Sequence, residues 1–279
     1  MTKKILICFF LFISFTSQAA DGLFKAGGRS AAMGNASLAS KDVWSLFHNP
    51  AGLAFLKNAE AGISYEKRFS LKELATNGLA VGVPIGKTGT IGLNATYFGF
   101  KNYNENQIGL AYAKRFSNKI SGAVKINYQS FNIGDEYGSR SVLTAELGMQ
   151  AMVIRNLWLG AHIYNPTQAS LADIPEENLP SVFSLGAGYI FSDKFNVELS
   201  AEKNSDEPTM IHTGIEYHPI KQFWLRAGMT SKPFNSSFGF GLELSNLLLD
   251  FAAGFHQQLG FTPTLSLTYH FNKKQGANP

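Results

Sequence analysis

Ile120-Ser-Gly-Ala-Val-Lys-Ile-Asn-Tyr128 is the stretch that decides the fold. Taken at every second residue, it separates into Ile120, Gly122, Val124, Ile126 and Tyr128 on one face and Ser121, Ala123, Lys125 and Asn127 on the other. Side chains on a strand point alternately to opposite sides, so this period of two predicts a strand with one apolar and one polar face. The pattern recurs. Phe195, Val197, Leu199 and Ala201 alternate with Asn196, Glu198, Ser200 and Glu202. Phe238, Phe240, Leu242 and Leu244 alternate with Gly239, Gly241 and Glu243. From residue 59 onward there are fourteen such segments, centred near residues 63, 80, 94, 111, 125, 147, 160, 186, 198, 214, 226, 240, 251 and 267. No helical period interrupts them, and the connections suit antiparallel hairpins.

The connections alternate as well. Tight polar turns are expected at Ile85–Thr88, Ser117–Lys119, Arg155–Asn156, Ser192–Lys194, Pro219–Lys221 and Ser245–Asn246. Longer ones fall between them, at Ser70–Thr76, Lys101–Asn106, Asn132–Ser141, Asn165–Ser181, Lys203–Thr209, Ser231–Ser236 and Gln257–Thr262. A soluble sandwich or lipocalin-like barrel has no reason for this alternation, whereas a transmembrane barrel has short turns on one rim and longer loops on the other. The charges inside strands are sparse and lie among glycines and hydroxyls, which suits a polar lumen and a lipid-facing apolar band. Tyr65, Tyr97, Phe98, Tyr128, Tyr164, Tyr189, Phe191 and Tyr217 lie toward segment ends and are expected to form interfacial girdles. The fold expected is an all-β, transmembrane antiparallel β-barrel of about 14 strands with an N-terminal plug or hatch inside.

Composition agrees. At 45% hydrophobic and 16% charged residues, the chain is too apolar to stay disordered. A formal net charge of +4 is too small to imply nucleic acid. Residues 1–20 read as a signal peptide, with Lys3 and Lys4 before the apolar run Ile5–Phe15 and small residues at Ser17 and Ala19 for cleavage after Ala19 or Ala20. The single cysteine, Cys8, lies inside that run, so the mature chain needs no disulfide, catalytic thiol or thiolate metal site. The expected layout is 1–20 signal peptide, 21–58 plug segment, 59–271 barrel and 272–279 polar tail. Tyr269 and Phe271 end the last strand in the manner of the aromatic assembly signal of outer-membrane barrels.

Residues 21–58 do not alternate. They run Lys25-Ala-Gly-Gly-Arg-Ser-Ala-Ala-Met-Gly-Asn-Ala-Ser-Leu-Ala39 and then Asp42-Val-Trp-Ser-Leu-Phe-His-Asn-Pro-Ala-Gly-Leu-Ala54. Their glycines disfavour a long helix, and Pro50 suits a first helical position. The pattern carried by Gly27, Gly28, Arg29, Met33, Gly34, Ala36, Asp42, Asn49, Pro50, Ala51, Gly52 and Leu53 resembles the start of the FadL-type outer-membrane barrels, in particular the PorV/PorQ branch of Bacteroidetes-type bacteria. For FadL-type members the resemblance implies a hatch whose Asn-Pro-Ala stretch lies within the barrel, and passive uptake of hydrophobic molecules such as fatty acids through a lateral opening. For the PorV/PorQ branch it implies a partner barrel in type IX protein secretion. The short loops here offer little surface for capturing a fatty acid, so the secretion partner is the first expectation and the uptake channel the alternative. Either reading places the chain in the outer membrane of a Gram-negative bacterium. The partners expected are outer-membrane lipid, secretion-system or other outer-membrane proteins, and hydrophobic small molecules.

On the inferred lumen face lie Glu146, Glu198, Glu202, Glu216, Glu243 and Asp250, with Lys125 and Arg226. Buried charges must be paired or hydrated. The expectation is a set of internal ion pairs that hold the plug, with Arg29 as a plug-side partner, or else a polar pathway preferring cations. Lumen-side glycines (Gly92, Gly148, Gly160, Gly186, Gly214, Gly228 and others) leave room for the plug. Gly86-Lys87-Thr88 imitates the end of a phosphate-binding loop, but Val81 stands where that motif needs glycine. His162, His212, His218 and His270 lie on strands without metal-ligand spacing, and no serine is singled out as a nucleophile beside them. The chain is therefore expected to be no enzyme and to use no metal or cofactor.

Overall fold

The structure is a computed structural model that describes residues 23–134, 138–170 and 178–271. The predicted leader and the tail 272–279 lie outside the described residues, as do Leu171 and Ile174 of the longest loop. The fourteen strands among the described residues are β1 (Glu60–Lys67), β2 (Ala75–Ile85), β3 (Gly89–Phe100), β4 (Tyr103–Arg115), β5 (Ile120–Ile133), β6 (Ser139–Ile154), β7 (Leu157–Tyr164), β8 (Val182–Ser192), β9 (Phe195–Asn204), β10 (Met210–Ile220), β11 (Phe223–Ser231), β12 (Phe234–Leu244), β13 (Leu247–His256) and β14 (Gly260–His270). Each pairs antiparallel with the next, and β1 pairs with β14 (Ile63 opposite Leu267), so the sheet closes on itself.

The barrel is inside out relative to a soluble one. On β5, Ile126 is 61% exposed while its neighbours Lys125 and Asn127 are buried. Leu110 on β4 and Leu143 on β6 likewise face outward, and Gln107, Gln129, Gln150 and His162 are buried within. An apolar outer band around a polar interior is the arrangement of a barrel whose solvent is lipid. Closure pairs the strand edges that lipid could not hydrate.

Four sequence expectations need correction. Tyr164 is fully buried, its hydroxyl donating to Gln129 Oε1 at 2.8 Å. Phe98 turns inward onto the core, edge-on to Tyr103, so neither ring belongs to an outer girdle. Both occupy inward positions of the alternation, and a ring's size does not override that direction. The connections β3–β4 and β11–β12 are two residues each, Lys101-Asn102 and Lys232-Pro233, because the flanking strands run on past the expected loop bounds. The rims therefore differ less in loop length than the sequence implied. The turns β2–β3, β4–β5, β6–β7, β8–β9, β10–β11 and β12–β13 lie where expected, on the same rim as the start of β1 and the end of β14.

A charge placed on the outer band near mid-strand meets hydrocarbon. Ile126→Lys is expected to destabilise the barrel by about 2–4 kcal/mol. Urea titration in lipid vesicles, read by heat-modifiable gel migration, measures this. An unshifted midpoint would remove residue 126 from the lipid band.

Candidate functional site: the plug and its two cavities

The N-terminal segment fills the lumen with little regular structure. It holds a five-residue helix α1 (Gly28–Ala32) and two 3-10 turns, Val43–Phe47 and Pro50–Phe55. Pro50 opens the second turn as its ring predicts, and Asn49 caps it, its Oδ1 accepting from Ala51 N at 3.2 Å. So short a set of helices leaves many backbone carbonyls without partners inside a water-poor lumen.

Side chains of the wall supply those partners. Gln150 Nε2 donates to Leu38 O and Ser40 O, both at 2.9 Å. Lys125 Nζ donates to Leu46 O at 2.7 Å, Ser121 Oγ to Ala51 O at 2.9 Å and Ser237 Oγ to Ala32 O at 3.0 Å. His212 Nδ1 donates to Gly34 O at 2.8 Å. The plug answers in kind. Asn49 Nδ2 donates to Leu38 O and to Met149 O of β6, both at 3.0 Å, and Trp44 Nε1 donates to Thr268 Oγ1 at 2.9 Å. His48 is buried and bonds to Ala26 O at 3.0 Å; burial pushes its imidazole down to about 3, so it is neutral and Nε2–H is the donor.

Glycines let the plug reach the wall. A methyl group at Gly160 would lie 2.4 Å from Leu38 O, and one at Gly228 would lie 2.2 Å from Gly34 N. Gly92, Gly148, Gly186, Gly188, Gly214 and Gly239 face Leu46 and Leu53, Asn49, Leu38, Ala39, Met33 and Ala32 in the same way. Gly34 itself takes φ +62 against the backbone of Met229, a conformation that disfavours a side chain. Toward β2 and β4 the contact is apolar: Val43, Trp44, Leu46, Phe47 and Leu53 pack with Ala80, Ala111 and Ala113.

The lumen charges pair as sets. Arg29 of α1 donates to Glu216 through Nε at 2.9 Å and Nη2 at 3.2 Å, and to Glu198 at 3.3 Å; Asp42 lies 3.7 Å away. Arg226 continues the chain to Glu216 and Asp250, both at 2.6 Å. Lys25 pairs with Glu202 at 2.8 Å. Opposite, Lys125 pairs with Glu146 at 3.0 Å, and Glu146 also accepts from Asn127 and contacts His162 at 2.9 Å. Of the eight lumen charges expected, seven are buried, and Glu243, near a tight turn, is half-buried. The strand histidines do not converge: His270 pairs with Glu60 and His218 lies by Trp224.

Sequence reasoning missed the neutral wall residues Ser121, Gln150, Ser237, Ser266 and Thr268. Each occupies an inward position of the alternation, which was the available signal. Lys41 was missed too. Its ammonium lies 3.0 Å from the centroid of the Trp158 ring, with Phe55 alongside, and burial lowers it to about 8 against the opposing pull of Glu198.

Two cavities flank the plug. One, of about 310 Å³, opens toward the long-loop rim between β8 and β14; Leu23, Phe69, Val182, Met210 and Phe255 line it together with the Lys25–Glu202 pair. At the same rim, Leu179 packs on Phe131 and Val142. The second cavity, of about 230 Å³, lies on the tight-turn side, between Arg29, Lys41, Asp42, Trp158 and Glu198.

These features define a lipid-embedded barrel whose lumen is stoppered by its own N-terminal segment. Among solved structures, the chain shares its fold with a TodX monoaromatic hydrocarbon channel variant (TM-score 0.68, 12% identity, 90% of this chain and 100% of that one). It also matches the CymD monoaromatic hydrocarbon channel (0.64, 14%, 91% and 99%) and a Pseudomonas aeruginosa FadL homologue (0.60, 15%, 88% and 97%). At such identities the likeness is one of fold. No protein-family model and no curated protein sequence matches the chain.

Asn49→Ala combined with Pro50→Ala removes the cap, the bonds to Leu38 O and Met149 O, and the preset first turn. The double variant is expected to keep heat-modifiable migration and to raise conductance in planar bilayers above the wild type. Loss of barrel assembly instead would show that the segment serves folding only.

Proposed function

We propose that the chain is a passive outer-membrane channel for small hydrophobic molecules, with the plug governing passage and no catalytic step. The observation that carries this reading is the pair of cavities on either side of a plug that touches the wall on most of the strands. The outer one combines apolar rings with a few polar groups and is of a size for one small ligand. The fold of the hydrocarbon channels and the FadL-like motif at Gly28–Leu53 point the same way. In the proposed orientation the long-loop rim faces outward and the tight-turn rim the periplasm.

Passage requires the plug to yield. Its hold on β9 and β10 is ionic, through Arg29 and Lys25, while its hold on β2–β4 is apolar. The ionic side borders both cavities, and it is there that we place the path. The secretion-partner reading rests on the motif resemblance to the PorV/PorQ branch alone, and the channel reading replaces it.

Uptake tests this. A Gram-negative host lacking its own hydrophobic-solute channels, expressing the chain, is expected to accumulate labelled toluene or palmitate several-fold faster than the empty-vector control. Arg29→Ala, which leaves Glu216 and Glu198 short of a partner, should cost the closed plug about 3–5 kcal/mol and change that rate. No gain over the control for either solute would sink the channel reading. A stoichiometric secretion partner recovered from native membranes would restore the other.

A further inference from the structure

The outer wall near the tight-turn rim carries a slot that the lumen does not explain. Lys114 of β4 stands opposite Gly122 of β5, and Gly122 stands opposite Met149 of β6. Gly122 has no side chain, and the Phe116 ring leans over it, so that a Cβ there would meet Cε2 at 3.1 Å; beside that ring a groove of about 530 Å³ runs between Lys114 and Met149, walled by Val124 and Leu147. Those walls are the exposed, outward positions of their strands, so the groove faces hydrocarbon. Lys114 follows Ile108, Leu110 and Tyr112 along that outward column and is itself exposed. Among the described residues, its ammonium makes no ion pair or side-chain hydrogen bond.

The charges around the slot are of one sign. Tyr112, which lines the groove, donates through Oη to Thr88 O at 2.6 Å and so ties it to the β2–β3 turn on which Lys87 lies. Lys119 lies on the β4–β5 turn and Arg155 on the next. These three turns carry no acid. A long cationic side chain at the edge of an apolar band extends toward headgroup depth. An anionic headgroup beside several such cations is held electrostatically. A second lipid-facing groove, of about 550 Å³ across β6–β10, has only apolar and small residues and no cation, so it offers an acyl chain nothing to select with.

We propose that the β4–β6 groove is a binding site for one anionic phospholipid, an acyl chain lying along Val124 and Leu147 beside the Phe116 ring and the headgroup phosphate at Lys114. The site is independent of the plug and of what the lumen transports. It rests only on the barrel being lipid-embedded.

The test uses the full mature chain in non-ionic detergent, titrated with dioleoylphosphatidylglycerol or dioleoylphosphatidylcholine and read by native mass spectrometry. The wild type is expected to retain one phosphatidylglycerol about fivefold better than phosphatidylcholine, and 0.5 M salt, as a probe condition of about this strength, should erase the preference. Lys114→Gln should lower retention of phosphatidylglycerol to the level of phosphatidylcholine. Gly122→Leu, which pushes the Phe116 ring out into the groove, should abolish retention of both. Lys221→Gln, on another turn of the same rim, should change nothing. Heat-modifiable migration verifies each barrel, and Lys119→Gln with Arg155→Gln serves if Lys114→Gln fails to assemble. Equal retention of the two lipids by the wild type, or a full preference kept by Lys114→Gln, overturns the site.

Discussion

A strand surrounded by hydrocarbon has no water for its amides and carbonyls, so each must find a partner in the chain itself. That requirement decides most of what this molecule is. It forces β1 to meet β14. It sends the apolar half of every strand outward and leaves the polar half in the lumen. It also creates the next problem, because a lumen full of Asn, Gln, Glu and Lys side chains needs occupants that satisfy them.

The plug answers that need, and the dependence is mutual. Its glycines and short turns leave carbonyls exposed along residues 32–51, and the wall's inward side chains donate to them. Glycines on the wall admit the plug backbone to hydrogen-bond distance, while Leu46, Leu53 and Trp44 bury apolar area against β1–β4. The ion-paired side differs in kind. A buried pair contributes little net stability over an apolar replacement but is costly to break one-sidedly. The plug is therefore held specifically at Arg29 and packed firmly at Leu53, an asymmetry that suits a stopper moving on one side. The two cavities lie along the specifically held side.

Much of this was legible beforehand where a local rule had one solution. All fourteen expected strand centres fall inside observed strands. Five of the six tight turns fall where Asn, Asp, Ser or Gly occurs, and the sixth follows Pro219 at Lys221-Gln222. The lumen charges Glu146, Glu198, Glu216, Arg226 and Asp250 follow from counting by two. Tyr164 and Phe98 were misplaced because an aromatic near a strand end was given a girdle role against its own parity. The loop lengths at Lys101 and Lys232 were overestimated because polar residues continue a strand once it projects beyond the membrane, where water tolerates either face.

Alternation in the sequence established fourteen two-faced strands, and the sparse charges among glycines and hydroxyls together with the alternating connections pointed to a lipid-facing barrel, because a soluble sheet has no reason for either. It also determined that residues 21–58 stand apart, since they lack that period. Tertiary structure alone decided which wall residue meets which plug atom. Gln150 reaches Leu38 and Ser40 across more than a hundred residues, and Arg29 reaches Glu216 across 187. Such pairings depend on barrel shear and on how an irregular segment threads the lumen, which no local period encodes. The same holds for the slot at Gly122, which exists only because β4, β5 and β6 bring Lys114, Gly122 and Met149 into one row.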